Sequence, residues 1–190
     1  MKRAGDSILQ ISSQVVVKGR PFEAEYEQIN VTKVMSGTPL RQVRTGTVHR
    51  DGEGRTRKLI RQEFVPEMFF ISTVIFDPVG GFIYTLEEKT RTVSKTSISP
   101  APLVPGLIAS ENEAPPVEIG EREIEGLDCR GYRITREGST TEYWYSDGLK
   151  ESLFEKTVSK IEGKVFRLFN IRLADPDAAL FSVPDDYKES

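Results

Sequence analysis

The sequence predicts a mainly β domain: a strongly curved antiparallel sheet, or half-barrel, of about eleven strands, with an N-terminal helix and a short C-terminal helix. Three observations predict it. Between Val117 and Leu173, apolar runs are punctuated by Glu125-Gly126, Glu137-Gly138, Asp147-Gly148 and Glu162-Gly163. Acid–glycine pairs at such intervals are turn signals, so this stretch reads as roughly four or five strands in succession, with Trp144 in its middle. Phe22 to Ile98 repeats the rhythm. No strand–helix alternation accompanies it, which argues against a parallel sheet.

Residues 1–20 read as an N-terminal helical segment set against the concave side of the sheet. Ile8, Ile11 and Val15 fall on one helical face, Asp6 stands as a cap, and Gly19 and Pro21 give a stop. The β-prone run Val15-Val16-Val17 works against that helix. Phe22 to Met35 is a long strand in which Phe22, Ala24 and Tyr26 alternate with Glu23, Glu25 and Glu27. The apolar phase then shifts to Ile29 and Val31, which predicts a bulge near Gln28. Leu40–Arg50 and Arg55–Phe64 form a hairpin closed by Asp51-Gly52-Glu53-Gly54. Phe69–Asp77, Phe82–Glu87 and Arg91–Ile98 complete a meander. Residues 99–116 break the pattern with Pro100, Pro102, Pro105, Pro115 and Pro116, and with Leu103, Val104, Leu107 and Ile108 between them. A loop of this length in a compact domain is often functional. The remaining strands are Val117–Ile124, Leu127–Arg136, Thr140–Ser146, Glu151–Ser159 and Lys164–Leu173. The last is apolar on both faces and is expected at the centre of the sheet. Asp175 as a cap and Pro176 at the first helical position predict the short closing helix. Residues 1–190 read as one domain.

A net charge of −3, with 29% charged and 37% hydrophobic residues, suits a folded globular chain without a basic surface. Nucleic acid is therefore not expected as a partner. No apolar run approaches the ~20 residues of a membrane helix, so no integral membrane segment is expected. Met1-Lys2-Arg3 resembles the charged start of an export leader, but Ala4-Gly5-Asp6-Ser7 follows in place of an apolar core. The chain reads either as cytosolic or as an exported protein whose leader has been removed. The single cysteine, Cys129, leaves no internal disulfide framework.

Catalytic chemistry finds little to stand on. His49, the only histidine, lies beside Arg50 and Asp51 at a hairpin end and reads as a solvated strand residue. Cys129 alternates with Leu127 on a strand and reads as a buried, inert thiol. No nucleophile elbow, phosphate loop or paired metal motif is present. Asp175, Asp177, Asp185 and Asp186 lack the spacing of a calcium loop, and capping accounts for the first two. The basic hairpin with Arg50, Arg55, Arg57 and Lys58 fits an acidic head group or, more simply, an edge hairpin kept soluble by charge. No catalytic residue, metal or cofactor is assigned. The large apolar side chains draw more interest. Phe70, Val74, Phe76, Tyr84, Leu86, Trp144, Phe154 and Phe169 are either an ordinary core or the lining of an apolar cavity that holds an acyl chain.

Several pieces carry a resemblance. His49-Arg50-Asp51-Gly52-Glu53-Gly54-Arg55-Thr56-Arg57, Phe76-Asp77-Pro78-Val79-Gly80-Gly81-Phe82-Ile83-Tyr84-Thr85-Leu86, Ile124-Glu125-Gly126-Leu127-Asp128-Cys129-Arg130-Gly131, Glu142-Tyr143-Trp144-Tyr145-Ser146-Asp147 and Ala179-Leu180-Phe181-Ser182-Val183-Pro184-Asp185-Asp186-Tyr187 look like a family of uncharacterised exported proteins of the acidobacterial kind. That family implies export and no known activity. More distantly, the order of elements and the Leu-Phe-x-Val-Pro ending resemble the LolA and RseB type of periplasmic lipoprotein-binding domain. That resemblance implies an incomplete antiparallel barrel whose concave face binds acyl chains.

The expected function is non-catalytic binding of an apolar or lipid-bearing ligand, an acyl chain or lipoprotein, in the cell envelope, with a periplasmic or secreted location. The alternative is a protein-interaction or structural module with a protein partner and no small ligand. A hydrolase with an unusual carboxylate site is the third possibility, without a visible base, nucleophile and orienting group together.

Overall fold

The computed structural model describes residues 16–33, 37–65, 68–98, 115–136 and 138–190. Twelve strands form one sheet: β1 (Phe22–Thr32), β2 (Leu40–Arg50), β3 (Thr56–Val65), β4 (Met68–Asp77), β5 (Phe82–Glu87), β6 (Thr92–Ser97), β7 (Val117–Ile124), β8 (Leu127–Arg136), β9 (Ser139–Ser146), β10 (Glu151–Ser159), β11 (Glu162–Arg172) and β12 (Lys188–Glu189). Their order across the sheet is β12-β6-β5-β4-β3-β2-β1-β11-β10-β9-β8-β7. The chain therefore enters at the centre with β1 and meanders outward to β6. It resumes at the opposite edge with β7 and meanders back until β11 pairs with β1. All pairings are antiparallel except β12 with β6, which is parallel.

Local chemistry explains the turns. Glu125 and Gly126 have φ of 54° and 76°, the two left-handed residues of a tight hairpin whose twist matches its strands. At the β2–β3 turn, Asp51 is buried and its carboxylate accepts from the Glu53 and Arg55 amides at 3.0 and 2.8 Å. Glu162-Gly163, expected as a turn, begins β11 instead. Ser159 makes that turn, its hydroxyl accepting from the Ile161 and Glu162 amides.

Residues paired directly across a ladder share a face. On the inner face stand Phe22, Ala24 and Tyr26 of β1, opposite Arg50, Val48 and Gly46 of β2; the face continues through Lys58 and Ile60 of β3 to Val74 and Phe76 of β4. On the other side of β1, Leu168 and Phe166 of β11 lie opposite Tyr26 and Gln28. Phe22 and Tyr26 are each 1% exposed and Leu153 is 0% exposed. Burying one such side chain contributes roughly 1.5–3 kcal/mol.

The sheet curls toward this face. Arg50, an inner-face residue of β2, donates to the Leu149 carbonyl in the β9–β10 turn. Two strands, β1 and β11, lie between β2 and β10. In a flat sheet that is about 14 Å, about twice the reach of an arginine side chain. Near the far edge, the Asn170 amide of β11 donates to Glu125 at the β7–β8 tip, at 2.9 Å.

The outer face carries a smaller core, in which Ile75, Leu86 and Val93 are joined by Tyr84, Val183 and Tyr187. The last two belong to a C-terminal strap that leaves β11 and runs over the outer face to the edge. There the Lys188 amide bonds the Arg91 carbonyl at 2.9 Å and the Ser190 amide bonds the Val93 carbonyl at 3.1 Å. Between strap and sheet lies a groove of about 280 Å³ lined by Arg57, Leu59, Ile75, Leu86, Leu180 and Tyr187.

Three expectations are corrected. The bulge near Gln28 is absent: β1 and β2 pair without interruption from Phe22↔Arg50 to Thr32↔Leu40. The irregularity lies on β11, between Phe169 and Arg172, where Asn170 takes a left-handed φ of 52°. The closing helix is a single 3-10 turn, Ala178–Phe181, capped by Asp177, whose carboxylate accepts from the Ala179 amide at 2.9 Å. Asp175, the expected cap, instead accepts from the Gly52 amide at 3.3 Å. Of the N-terminal helix, residues 6–15 lie outside the described residues, and Val16 to Lys18 carry no helix. Most of the Pro-rich loop, residues 99–114, is likewise outside them.

Candidate functional site

The inner face is built from three rows of paired side chains. Ala24, Val48, Lys58 and Val74 form one; Tyr26, Gly46, Ile60 and Ser72 the next; Gln28, Arg44, Gln62 and Phe70 the third. The middle row exists because position 46 has no side chain. A Cβ there would collide with the Leu59 carbonyl oxygen and lie 3.0 Å from Tyr26 Cε1. Tyr26 stacks toward Phe166, with ring centroids 6.0 Å apart.

Three cationic groups converge on this row. The Lys58 ammonium sits 4.3 Å above the Tyr26 ring centroid and 5.6 Å from that of Phe166. Burial lowers its pKa to about 8, opposed by Glu151 and reinforced by Lys164 and Arg44. Arg44 gives its Nε proton to Gln62 Oε1 at 2.8 Å. Lys164 is held by Glu155 at 3.0 Å. The Tyr26 hydroxyl is buried without a hydrogen-bond partner among the described residues. Burial raises its pKa, with Arg44 opposing, so the phenol stays a neutral donor.

One end of the face is closed by Arg50, which is 3% exposed. It donates to the Arg20 and Leu149 carbonyls and lies 3.4 Å from Glu151. Its guanidinium lies 4.7 Å from the Phe22 ring centroid. At the other end stand exposed apolar residues: Leu40, Met68 and Phe70, with Val158 and Ile161 around the β10–β11 turn.

The eight apolar residues singled out in the sequence divide between the faces. Phe70, Val74 and Phe76 stand on the inner one, paired with Gln62, Lys58 and Thr56. Tyr84 and Leu86 stand on the outer face, paired with Ile75 and Thr73. Trp144 pairs with Phe154, Phe154 with Arg167, and Phe169 with Glu25, which sets these three on the outer side of their strands. Trp144 covers Gly131, where a Cβ would lie 2.8 Å from the indole. Arg122 stacks over Trp144 at 4.0 Å.

The basic hairpin is not an edge, since β2 and β3 lie inside the sheet. Arg50 and Lys58 turn to the inner face. Arg55 pairs with Asp51 at 2.6 Å and lies over the Phe181 ring at 5.2 Å. Arg57 lines the strap groove. His49 is not the solvated residue expected: its side chain is 15% exposed, with Nδ1 buried 3.7 Å from Glu23, too far for a hydrogen bond. Burial lowers its pKa, and Glu23 opposes the shift. Cys129 is buried, and burial raises its thiol pKa, as expected for an inert side chain. Asp186 pairs with Arg91 at 3.5 Å. Among the described residues, no three His, Cys, Asp or Glu side chains gather as metal ligands.

Sequence reasoning named Lys58 only within the basic hairpin and Tyr26 only as an alternating apolar residue, and did not single out Gly46 or Arg44. The alternation of Phe22, Ala24 and Tyr26 against three glutamates was the available signal for the inner face of β1. Nothing local marked Gly46 as the gap that lets Tyr26 lie across β2.

No protein-family model matches the chain and no curated protein matches its sequence, so the acidobacterial-type resemblance rests on its motifs alone. Solved structures do match in fold. The complex structure of Pseudomonas aeruginosa MucA/MucB gives a TM-score of 0.55 at 11% identity over 90% of this chain and 58% of that one. MucB in complex with MucA(peri) gives 0.51 at 11% identity over 88% and 55%. A LolA superfamily protein from Nitrosomonas europaea gives 0.43 at 9% identity over 89% and 93%. The chain thus spans little more than half of the MucB-complex chains it matches. The chain shares its fold with the MucB-complex structures, at 11% identity. Among the described residues, no helix is long and apolar enough to cross a membrane.

Proposed function

We propose that this chain is a non-catalytic binding domain of the cell envelope whose curled sheet takes an apolar or lipid-bearing ligand on its inner face. One observation carries the reading. Phe22, Ala24, Ile60 and Val74 give the inner face an apolar core among its cationic side chains, and the only helical turn among the described residues packs elsewhere, at the strap. A sheet that curls around its own apolar face, with no helix over that face among the described residues, provides a concave surface for an acyl chain. The Leu40, Met68 and Phe70 end of that face offers an apolar approach from solvent. Envelope location is part of the proposal and is supported by the fold likeness. Native mass spectrometry of protein purified gently from its host, followed by solvent extraction, tests it. A co-purifying acyl species is the expected result. A clean apo mass that does not shift on adding lipids or acylated peptides would sink the reading.

A second reading has its own observation. MucB is described in complex with MucA, and the edge strand β7 of this chain has no outer neighbour among the described residues. An extended partner peptide adding to β7 would make this an interaction module. Recovery of a stoichiometric protein without lipid would favour it. Val117, Glu118, Glu121 and Arg122 crosslinks to that protein would locate the contact.

A further inference from the structure

We infer that the ligand of the inner face is a long-chain carboxylic acid, with its carboxylate held by Lys58, Arg44 and the Tyr26 hydroxyl. The inference rests on the lipid-binding reading and adds the head-group chemistry to it. Three independent observations meet at one place. First, the Tyr26 hydroxyl is a buried donor with no acceptor among the described residues, on a residue 1% exposed. Such a group is costly unless a partner arrives. Second, among the described residues the Lys58 ammonium has aromatic faces for neighbours and no carboxylate within salt-bridge range. Third, Arg44 spends only its Nε proton, on Gln62. Its terminal nitrogens have no partner among the described residues.

The rows explain why these groups converge. Tyr26 lies in the middle row, Lys58 in the row on one side and Arg44 in the row on the other. Gly46 leaves the middle open, so both long side chains lean over it.

The charge balance selects the ligand class. Lys164 is neutralised by Glu155 and Arg50 by Glu151. Lys58 and Arg44 have no carboxylate within salt-bridge range among the described residues, and one carboxylate set between them would pair with both through its two oxygens. A guanidinium edge, an ammonium and a phenol supply charge-assisted donors for two carboxylate oxygens. The half-buried Phe166 and Val48 continue the surface for the acyl chain.

Isothermal titration of the full chain with decanoate, 1-decanol and decyl phosphate tests the inference. Decanoate should bind at least about tenfold more tightly than decanol, a difference of about 1.4 kcal/mol. Lys58→Met and Arg44→Met should each narrow that preference severalfold. Tyr26→Phe removes one oxygen, preserves the packing, and should narrow it as well. With carboxyl-labelled decanoate, the carbon-13 resonance should move on binding to the unmodified chain and move less in Tyr26→Phe. Equal affinity for decanoate and decanol would overturn the carboxylate site and leave the apolar-ligand reading standing. Binding of none of the three would overturn both. A tenfold preference for decyl phosphate over decanoate would replace the carboxylate with a phosphate head group.

Discussion

The Arg50 guanidinium and the Leu149 carbonyl meet across the two strands that separate β2 from β10. This contact ties the two meanders at one end of the inner face. Arg50 also holds Glu151, whose pKa burial raises and Arg50 lowers. Arg50→Met leaves that carboxylate without its cation and the Leu149 carbonyl without a donor. Leaving the Leu149 carbonyl unsatisfied and the half-buried Glu151 carboxylate without its cation costs about 1–3 kcal/mol. Urea denaturation should show a loss of that order. Adding Glu151→Gln to Arg50→Met should recover part of it, because the orphaned charge is then gone.

Lys58 gives stability an unusual dependence on alkaline pH. Its folded pKa of about 8 lies below the 10.5 of an unperturbed lysine. Below pH 8 the amine is charged in both states, and the cost of burying that charge is fully present. Between pH 8 and 10 the folded chain releases the proton first, so the unfolded chain binds more protons and stability rises. Above pH 10 the raised pKa of Tyr26 works the other way, as unfolded tyrosine ionises while the buried phenol does not. Chemical denaturation at pH 7, 8.5 and 9.5 should show the rise. Lys58→Met should flatten it; an unchanged slope in that variant would assign the effect to other groups.

Two glycines separate backbone crowding from side-chain crowding. At Gly46 an added Cβ meets the Leu59 backbone oxygen, which has no freedom to withdraw. Gly46→Ala should part β2 from β3 and cost upward of about 3 kcal/mol, read from the denaturation midpoint. At Gly131 the obstacles are Trp144 and Ile119 side chains. Gly131→Ala should cost about 1–3 kcal/mol and shift the emission of Trp144, the only tryptophan, as the indole tilts away.

The strap covers the β6 edge as well as the outer core. Deleting residues 183–190 removes the Arg91 and Val93 backbone bonds and uncovers Ile75, Leu86 and Val93. An unpaired edge beside an apolar patch pairs with other chains. Size-exclusion chromatography with light scattering should find the truncated chain self-associated and the full chain less so.

The strands were readable in the sequence because they are bounded by local signals. Val117–Ile124 and Leu127–Arg136 are separated by a two-residue turn whose Glu-Gly pair specifies it. The central place of β11 followed from its two apolar faces. What failed was whatever depends on neighbours in space. Arg50, Arg55, Arg57 and Lys58 read as an edge because their charge was visible and their burial was not. The buried end of Arg50 is set by Leu149 and Glu151, some hundred positions away. The apolar residues were pooled as one lining because period-two alternation gives two faces to each strand without saying which faces align across the sheet. The bulge at Asn170 left no apolar signature. Its backbone is held by Glu125 and its side chain by Glu25, at 3.0 Å in the latter case.

The pairing of β1 with β11 has a consequence for how the molecule assembles. Within each meander, every ladder joins segments adjacent along the chain, and such ladders close quickly. Only the β1–β11 seam and the terminal β12 must recruit distant segments, and the seam is the larger, running from Glu23 to Thr32. This topology favours zipping of the two half-sheets before the single β1–β11 ladder closes. Until that event, the Tyr26 and Leu168 flanks of the two halves are bare edges. While they are bare, these edges can pair with other chains, a hazard the finished sheet removes.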